Sequence, residues 1–332
     1  MVKITDFMLN LQNKFVEDGK TESTAHQYIN TLYVLNNKEP FKNITFLKRM
    51  SDVMSKLEPY SENTKKSYLA AIVSTLKFYE DKPTYKKVLA KYQDLLNDKI
   101  VELKNKPKNV KSKKQEDNWV SWEEIQKIKD ELISEVDEFK TQKNITSKQY
   151  LTLLKYFVLS LYTEVPPRRN QDYQMCYIIK KFSDKLSTDR NYYSIDDKCF
   201  YFNVYKTSKT YGQQKICIGD NEPLKKAFEI YLKFHPSCKG RFGKNKQVPL
   251  LVTHDGSPMS SVNAITRLLH KIFGKNVGSS MLRHIYLTAK YGDELTEMKS
   301  DANAMGHSME LQKEYIVNKS ENEKIEPPSP KE

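Results

Sequence analysis

A lysine-rich segment near residue 110 is the feature that most constrains the fold of this chain. The segment VELKNKPKNVKSKKQED runs from Val101 to Asp117, and its lysines and its proline interrupt every apolar pattern. Because such a stretch cannot enter a buried core, we predict an exposed basic linker over residues 101–118. The linker leaves two parts that are each long enough to bury a core. We therefore predict two domains, over residues 1–100 and 119–317, and a flexible, proline-rich tail over residues 318–332.

The first predicted domain is helical. Two of its segments, Thr21–Leu35 and Ser61–Tyr79, begin with hydroxyl side chains that can cap a helix, and apolar residues then follow at helical spacing. In the second segment this spacing is seen at Tyr68, Ile72 and Leu76. We predict that both segments are amphipathic helices.

The second predicted domain begins with two helices. Ser121 and Glu124 form a capping-box pattern for a helix that reaches about Ile133. A second helix is predicted from Ser147 through Leu161, and Pro166-Pro167 mark its end. Its apolar positions form a predicted buried stripe: Leu151, Leu154, Phe157 and Leu161.

Strands follow these helices. Alternating aromatic and β-branched residues predict strands over Asn191–Ile195, Lys198–Tyr205 and Gln214–Ile218. Turn-forming residues separate them, so we predict a small antiparallel sheet. Helices are predicted after the sheet over Glu222–Phe234, Ser260–Phe273, Ser280–Tyr291 and Asp293–Ala304. The predicted fold is mainly α with a small antiparallel β-sheet, an α+β class.

Charge and composition narrow the functional classes. The formal net charge of +13 favours polyanionic partners, and nucleic acid is the commonest of these. Few of the 55 basic residues are arginines, so each arginine suggests a need for its planar pair of donors. No apolar run is long enough to cross a bilayer, and the start MVKITDFMLNLQ lacks the pattern of a secretion signal. We expect no membrane association and an intracellular location, in the cytoplasm or nucleus of the host, wherever the DNA is.

The cysteines and most histidines carry no metal signature. Cys176, Cys199, Cys217 and Cys238 are never closely spaced, which argues against a zinc site and against a disulfide framework in a chain of this size. We expect all four to be reduced. Four histidines also lack partners at metal-ligand spacing, and we interpret them as structural or exposed: His26, His235, His254 and His270.

Three short patterns in the second domain carry candidate chemistry. RNQD begins at Arg169, directly after a long helix and two prolines. MLRHIY begins at Met281, on a predicted helix. AMGHS ends at Ser308, and Glu314-Tyr315 follows closely. Each pattern alone is a weak signal, so the inference depends on their order and spacing.

In order, in spacing and in the sheet that lies between them, these patterns resemble the catalytic domain of the tyrosine recombinase family, which includes phage and viral integrases. The resemblance covers Trp119 to Val317, and the helical first domain resembles the family's core-binding domain, which closes over the far side of the duplex. It implies a site-specific recombinase of a virus or mobile element that cleaves and rejoins double-stranded DNA through a covalent 3′-phosphotyrosine. It also implies a homotetramer on paired DNA sites, with no cofactor and no metal ion. The segment after Tyr315 is the candidate for exchange between neighbouring protomers.

The resemblance assigns roles to five residues. Tyr315 is the nucleophile, and Arg169 and Arg283 neutralise the charge that builds on the phosphate. His307 donates a hydrogen bond to the phosphate or helps to remove the tyrosine proton. Asp172, one helical turn from Arg169, pairs with basic side chains and holds the arginines in place.

Two lysines compete for the acid that protonates the leaving 5′ oxygen. Lys206 ends a predicted strand, where the family often places Lys-Thr, and Lys209 lies nearer the turn, so Lys206 is favoured. Two neighbours of Arg283 are supporting candidates. Ser280 stands where the family has a histidine, so that contact is either made by a hydroxyl or lost, and His284 is expected to pack or to buttress the helix.

Alternatives remain for the nucleophile and for the function. The interval from His307 to Tyr315 is one residue shorter than the family's commonest spacing. Tyr286 and Tyr291 are the fallback candidates, although both lie on the predicted Arg283 helix and are interpreted first as core residues. A type IB topoisomerase would use the same tyrosine chemistry as a monomer. A non-catalytic DNA-binding protein could keep the fold without the activity, and the serine at position 280 favours this reading. Integration, excision and resolution share one chemistry, so the sequence does not choose among them.

Overall fold

A computed structural model describes residues 4–105, 110–238, 242–243, 246–261 and 263–315, with the backbone alone for Glu314 and Tyr315. The chain divides into two compact units, residues 1–110 (unit 1) and 111–332 (unit 2). Each unit has its own buried apolar core. Helices dominate the described residues and unit 2 contains a small sheet, so the α+β class is confirmed.

Unit 1 is helical throughout its described residues. Its elements are α1 (Asp6–Glu17), α2 (Glu22–Leu35), a 3-10 helix (Thr45–Lys48), α3 (Met50–Leu57), α4 (Glu62–Lys77) and α5 (Pro83–Asn105). Thr5, Thr21 and Ser61 cap α1, α2 and α4, because each side chain accepts a hydrogen bond from a backbone N–H in the first turn. The two helices predicted from capping signals are confirmed.

The core of unit 1 forms where the apolar faces of these helices meet. Phe15 is fully buried, and its ring packs against Tyr28 and Phe78. The long helix α5 packs chiefly on α4. Its buried Tyr92 donates a hydrogen bond to the Leu47 carbonyl at 3.1 Å. This bond satisfies the one polar atom of a buried ring and ties α5 to the 3-10 helix.

Unit 2 is arranged around one buried helix. Its helices are α6 (Lys113–Asn118), α7 (Trp122–Asp137), α8 (Ser147–Thr163), α9 (Asn170–Gln174), α10 (Ser208–Tyr211), α11 (Glu222–Phe234), α12 (Ala264–Phe273), α13 (Ser279–Ala304) and α14 (Met309–Tyr315). Helix α8 is buried almost all round from Leu153 onward, and α7, α11, α12 and α13 pack on it. The predicted stripe is wrong at one position, because Leu151 is exposed. Among the described helices, none is both long and apolar enough to cross a membrane.

The sheet of unit 2 has five strands in the order β4-β3-β2-β1-β5. They are β1 (Cys176–Ile179), β2 (Asn191–Ser194), β3 (Cys199–Phe202), β4 (Gln214–Cys217) and β5 (Val248–Pro249). The three predicted strands are confirmed as β2, β3 and β4, but the prediction of a purely antiparallel sheet is wrong. β1 pairs with β2 in parallel, because the chain between them crosses back before β2 begins. The other pairs are antiparallel.

Helices occupy both ends of the predicted basic linker. Helix α5 continues to Asn105, and α6 begins at Lys113 with a complete capping box between Ser112 and Gln115. These parts of residues 101–118 are therefore helical, and most of their side chains are exposed as predicted. Residues 106–109 and the predicted tail, residues 318–332, lie outside the described residues.

Two predicted helices are one continuous helix. The predicted break between Tyr291 and Asp293 does not occur, because Gly292 is helical and α13 runs for 26 residues. Glycine weakens a helix interior by about 1 kcal/mol, which lowers its stability without ending it. The first turns of α13 pack on α7 and α8, whereas most side chains from Leu287 to Asp301 are exposed.

The expectation that all four cysteines are reduced is wrong for one pair. Cys199 of β3 lies opposite Cys217 of β4, and their sulfurs form a disulfide of 2.01 Å. Antiparallel pairing brings together two residues that are 18 positions apart in the chain, and close spacing in sequence is therefore not required. Cys176 and Cys238 are free.

Candidate active site

The site forms where α8 gives way to α9. The prolines at 166 and 167 prevent α8 from continuing, and the chain then runs extended to Arg169, which has φ −75° and ψ 150° and caps α9. Asn170 fixes the start of α9 from two sides. Its side chain accepts a hydrogen bond from Tyr162 of α8 at 2.6 Å and donates one to Thr266 of α12 at 2.9 Å. The position of Arg169 is therefore set by three helices of the core.

Arg169 and Arg283 line one cavity of about 230 Å³, which we call the arginine cavity. Arg283 reaches it from the second turn of α13, between the buried residues Leu282 and Ile285. The other lining residues are Pro167, Arg168, Asp172, Tyr205, Thr207, Tyr211 and Gln214. Residues far apart in the sequence thus meet at one small polar cavity.

The positive charges of Arg169 and Arg283 repel each other. Burial lowers the pKa of Arg283, and the positive charge of Arg169 lowers it further, whereas Tyr162 and Asp172 raise it. Two guanidinium groups held this close in a partly buried cavity repel each other unless an anion lies between them. The cavity is therefore suited to bind a phosphate or another oxyanion with two or more charge-assisted hydrogen bonds.

Asp172 supports the cavity through Arg168. Arg168 donates a hydrogen bond from Nε to Oδ2 of Asp172 at 2.9 Å, and both side chains are largely buried. Oδ1 of Asp172 is buried and makes no hydrogen bond to any described residue. Burial raises the pKa of Asp172, and the charge and hydrogen bond of Arg168 oppose that rise. The predicted pairing of Asp172 with a basic side chain is confirmed, with Arg168 as the partner.

The two candidate lysines lie on the loop between β3 and β4, which we call the Lys206 loop (residues 203–213). Lys206 and Lys209 are both exposed, and neither lines the arginine cavity. The loop reaches the cavity through Tyr205, Thr207 and Tyr211 instead. The structure thus brings the loop to the arginines without choosing between the two lysines.

Asn191 anchors this loop to α9. Its buried amide donates hydrogen bonds to the carbonyls of Asp172 and Val204 at 2.8 and 2.9 Å. Its oxygen accepts from the backbone N–H groups of Asn203 and Val204 at 2.8 and 2.7 Å. Both N–H donors and both acceptor lone pairs of this amide are used, so the loop is held two residues before Lys206.

The neighbours of Arg283 point in different directions. Ser280 and His284 are exposed on α13 and do not line the arginine cavity. Tyr286 is half-buried and packs edge-on against Trp122 of α7, with ring centroids 5.7 Å apart. Tyr291 is exposed, so its interpretation as a core residue is wrong.

His307 lies at the far end of α13 from the arginines. The helix ends in a Schellman motif, in which Gly306 has φ 75° and the N–H of His307 bonds to the Ala302 carbonyl at 3.0 Å. The His307 ring contacts the Ser308 carbonyl and the sulfur of Met305, both at 3.2 Å. Because a helix rises about 1.5 Å per residue, His307 and Arg283 lie about 30 Å apart along the axis. The described conformation therefore does not bring them together.

Tyr315 is the last residue of α14, and its side chain lies outside the described part of the structure. Ser308 caps this short helix, because its hydroxyl accepts a hydrogen bond from the Leu311 N–H at 3.2 Å. The Gly306-His307-Ser308 pattern is thus the junction between two helices. Helix α14 packs on α13 beyond this junction.

Sequence reasoning missed several residues of the site. Arg168 had a usable signal, since arginine is rare in this chain and Arg168 lies four residues before Asp172. Asn191 and Gln214 gave no signal, because their roles depend on contacts across the sheet. The described residues contain no cluster of three or more His, Cys, Asp or Glu side chains placed to hold a metal ion.

Comparisons with protein-family models, curated proteins and solved structures find no match to this chain. The residues and the geometry of the arginine cavity are therefore the basis for a functional inference.

Proposed function

We propose that this protein cleaves and rejoins double-stranded DNA as a site-specific tyrosine recombinase. The observation that carries the proposal is the convergence of Arg169 and Arg283 on one cavity. A diester phosphate has two non-bridging oxygens, and two guanidinium groups can bind both of them while the attack takes place. Residues of two of the three sequence motifs, RNQD and MLRHIY, line this cavity together with residues of the Lys206 loop.

The reaction needs a nucleophile and an acid in addition to the arginines. The Tyr315 oxygen attacks the phosphorus and loses its proton, the new tyrosine–phosphorus bond forms, and the bond from phosphorus to the 5′ oxygen breaks. The leaving oxygen takes a proton from Lys206, or from Lys209 on the same loop. Because the phosphotyrosine keeps the energy of the broken bond, a free 5′ hydroxyl can attack it and reseal the strand.

The distance between His307 and the arginine cavity adds a requirement. Either α13 bends near Gly292 when DNA binds, or the C-terminal helix of one protomer serves the cavity of another. The exposed half of α13 suits a contact of the second kind, because Leu287, Tyr291 and Leu295 are 53%, 45% and 39% exposed and follow each other at intervals of four residues. We propose that four protomers assemble on two DNA sites and bury this stripe.

A covalent adduct tests the proposal. The substrate is a pool of duplexes with random sequence, each carrying one nick, so that cleavage next to the nick releases a short fragment and resealing fails. We expect a protein–DNA band that resists detergent and disappears in the Arg169→Ala and Arg283→Ala variants. Arg190→Ala is the matched control, since Arg190 pairs with Asp189 away from the cavity. Absence of any adduct across the pool would contradict the proposal.

A non-catalytic DNA-binding protein is the second candidate. Two observations favour it: the separation of His307 from the arginine cavity, and a serine at position 280. This candidate predicts duplex binding that weakens when either cavity arginine is replaced, without adduct formation under any condition. The adduct assay therefore separates the two functions.

A further inference from the structure

We propose that Arg168 is a positioning residue that joins the Arg169 helix to the Lys206 loop and so places the general acid against the phosphate. The inference rests on the proposed function and deepens it. It concerns an arginine that was not expected to take part in the site.

On one side, Arg168 is tied to α9. Its Nε donates to Asp172 at 2.9 Å, and the Asp172 carboxylate is only 3% exposed. Because Asp172 lies in the same short helix that Arg169 caps, Arg168 and Arg169 share one rigid support. Asn170 fixes the start of this helix independently of Arg168, so the helix gives the Arg168 guanidinium a firm attachment.

On the other side, the same guanidinium is tied to the strands that border the loop. Its Nη1 donates to Oε1 of Gln214, the first residue of β4, at 2.7 Å. Its central carbon lies 3.9 Å from the ring centroid of Phe202, at the end of β3, and 5.0 Å from that of Tyr205. Arg168 thus contacts both ends of the Lys206 loop.

The loop itself is closed by bonds near these contacts. The Tyr205 hydroxyl donates to the Gly212 carbonyl at 2.7 Å, and Gln213 donates to the Asn203 side chain at 2.6 Å. Gly212 has φ 64°, which lets the chain turn back into β4. Since the base of the loop is closed, fixing its two ends fixes the path that carries Lys206 and Lys209.

The geometry calls for an arginine. A planar fork can donate in two directions while its face stacks on aromatic rings, whereas a lysine ammonium has one charged point and cannot do both. The Arg168 side chain is only 12% exposed, and its Nε and Nη1 both bind protein atoms. It is therefore placed to support the reacting groups, and Arg169 and Arg283 remain the pair for the phosphate.

The test separates loss of the acid from loss of the fold. An ordinary substrate has a 5′ oxygen leaving group, which needs a proton, whereas a substrate with sulfur at the bridging 5′ position releases a thiolate, which does not. We expect Arg168→Met and Arg168→Lys to slow adduct formation on the oxygen substrate by roughly 10²-fold, the lower end of what a general acid contributes. On the sulfur substrate we expect rates within a few-fold of wild type.

Reference variants make each outcome decisive. Lys206→Ala and Lys209→Ala identify the acid: it is the lysine whose replacement slows the oxygen substrate but not the sulfur substrate. Gln214→Met removes one Arg168 contact, and its partly exposed position does not threaten folding. Arg190→Gln is the control arginine. Rescue of both the Arg168 and the Gln214 variants supports the inference.

Three results would overturn it, and they differ from one another. If sulfur rescues a lysine variant but neither the Arg168 nor the Gln214 variant, the positioning role is wrong while the proposed function stands. If sulfur rescues no lysine variant although wild type reacts, the acid is not on this loop. If wild type forms no adduct with either substrate, the proposed function itself fails and takes the inference with it.

Discussion

The buried histidine of unit 2 predicts a measurable loss of stability at mildly acidic pH. His235 is fully buried, and its Nδ1 accepts a hydrogen bond from the Ser237 N–H at 3.2 Å, so Nε2 carries the proton and faces the Pro249 carbonyl at 3.1 Å. A second proton on Nδ1 would face the Ser237 donor. Burial, together with the charge of Lys246, lowers the pKa of His235 from 6.5 to about 4.

The direction and size of the effect follow from these two values. Between pH 6.5 and 4 the unfolded chain binds a proton that the folded chain does not, so the contribution of His235 is complete above pH 6.5 and is lost as the pH falls. The loss between pH 7.5 and 5 is about 2 kcal/mol.

Tryptophan fluorescence reports the unfolding of unit 2, because both tryptophans, Trp119 and Trp122, lie in that unit. Denaturant unfolding is followed at pH 7.5 and pH 5 for wild type, His235→Gln and the control His284→Gln, which changes an exposed histidine. We expect wild type and the control to lose about 2 kcal/mol more than His235→Gln over this range. Parallel losses in all three proteins would refute the reasoning.

Three further predictions test the site and its surroundings. Asp172→Ala should lower the free energy of unfolding of unit 2 by about 3–5 kcal/mol, because Arg168 would be left buried without its partner. The double variant Arg168→Met with Asp172→Leu should recover most of that loss, and an equal loss in the single and double variants would contradict the pairing. Reducing the Cys199–Cys217 bridge should cost about 3 kcal/mol of unfolding free energy, and a variant with serine at both positions should not respond to reductant. Adduct formation should continue in excess EDTA, since the proposed mechanism uses arginines to neutralise the phosphate; loss of activity that magnesium restores would contradict this mechanism.

Local signals predicted the helices of this protein well. Thr21, Ser61 and Ser121 were expected to cap helices, and each accepts a hydrogen bond from a backbone N–H in the first turn. Such caps depend on a few neighbouring residues, so the sequence contains them in full. The exposure of Leu151 was not predictable, because it depends on which neighbours pack around α8.

Long-range features were harder to predict. Strand β1 is only four residues long and lies beside β2 in parallel, which no local turn signal specifies. The Cys199–Cys217 bridge depends on the register between β3 and β4 and not on cysteine spacing. A break was predicted near Gly292, but α13 continues through it. Few tertiary contacts hold the second half of that helix.

The candidate site was predicted in part. The motifs placed Arg169 and Arg283 together, and they line one cavity. They did not reveal Arg168 as the partner of Asp172. The expected meeting of His307 with the arginines is absent from the described conformation, because that meeting depends on the path of α13 and not on the motif itself.

The tyrosine that becomes linked to DNA tests the central claim most directly. Trypsin would place the three candidates on different peptides: EYIVNK contains Tyr315, HIYLTAK contains Tyr286 and YGDELTEMK contains Tyr291. The adduct formed on the pool of nicked duplexes is digested with nuclease and trypsin, and mass spectrometry locates the peptide that carries the tyrosine-linked nucleotide. The account predicts modification of EYIVNK, and no adduct in Tyr315→Phe although that variant still binds duplex DNA. Modification of either other peptide, or an adduct that persists in Tyr315→Phe, would contradict it.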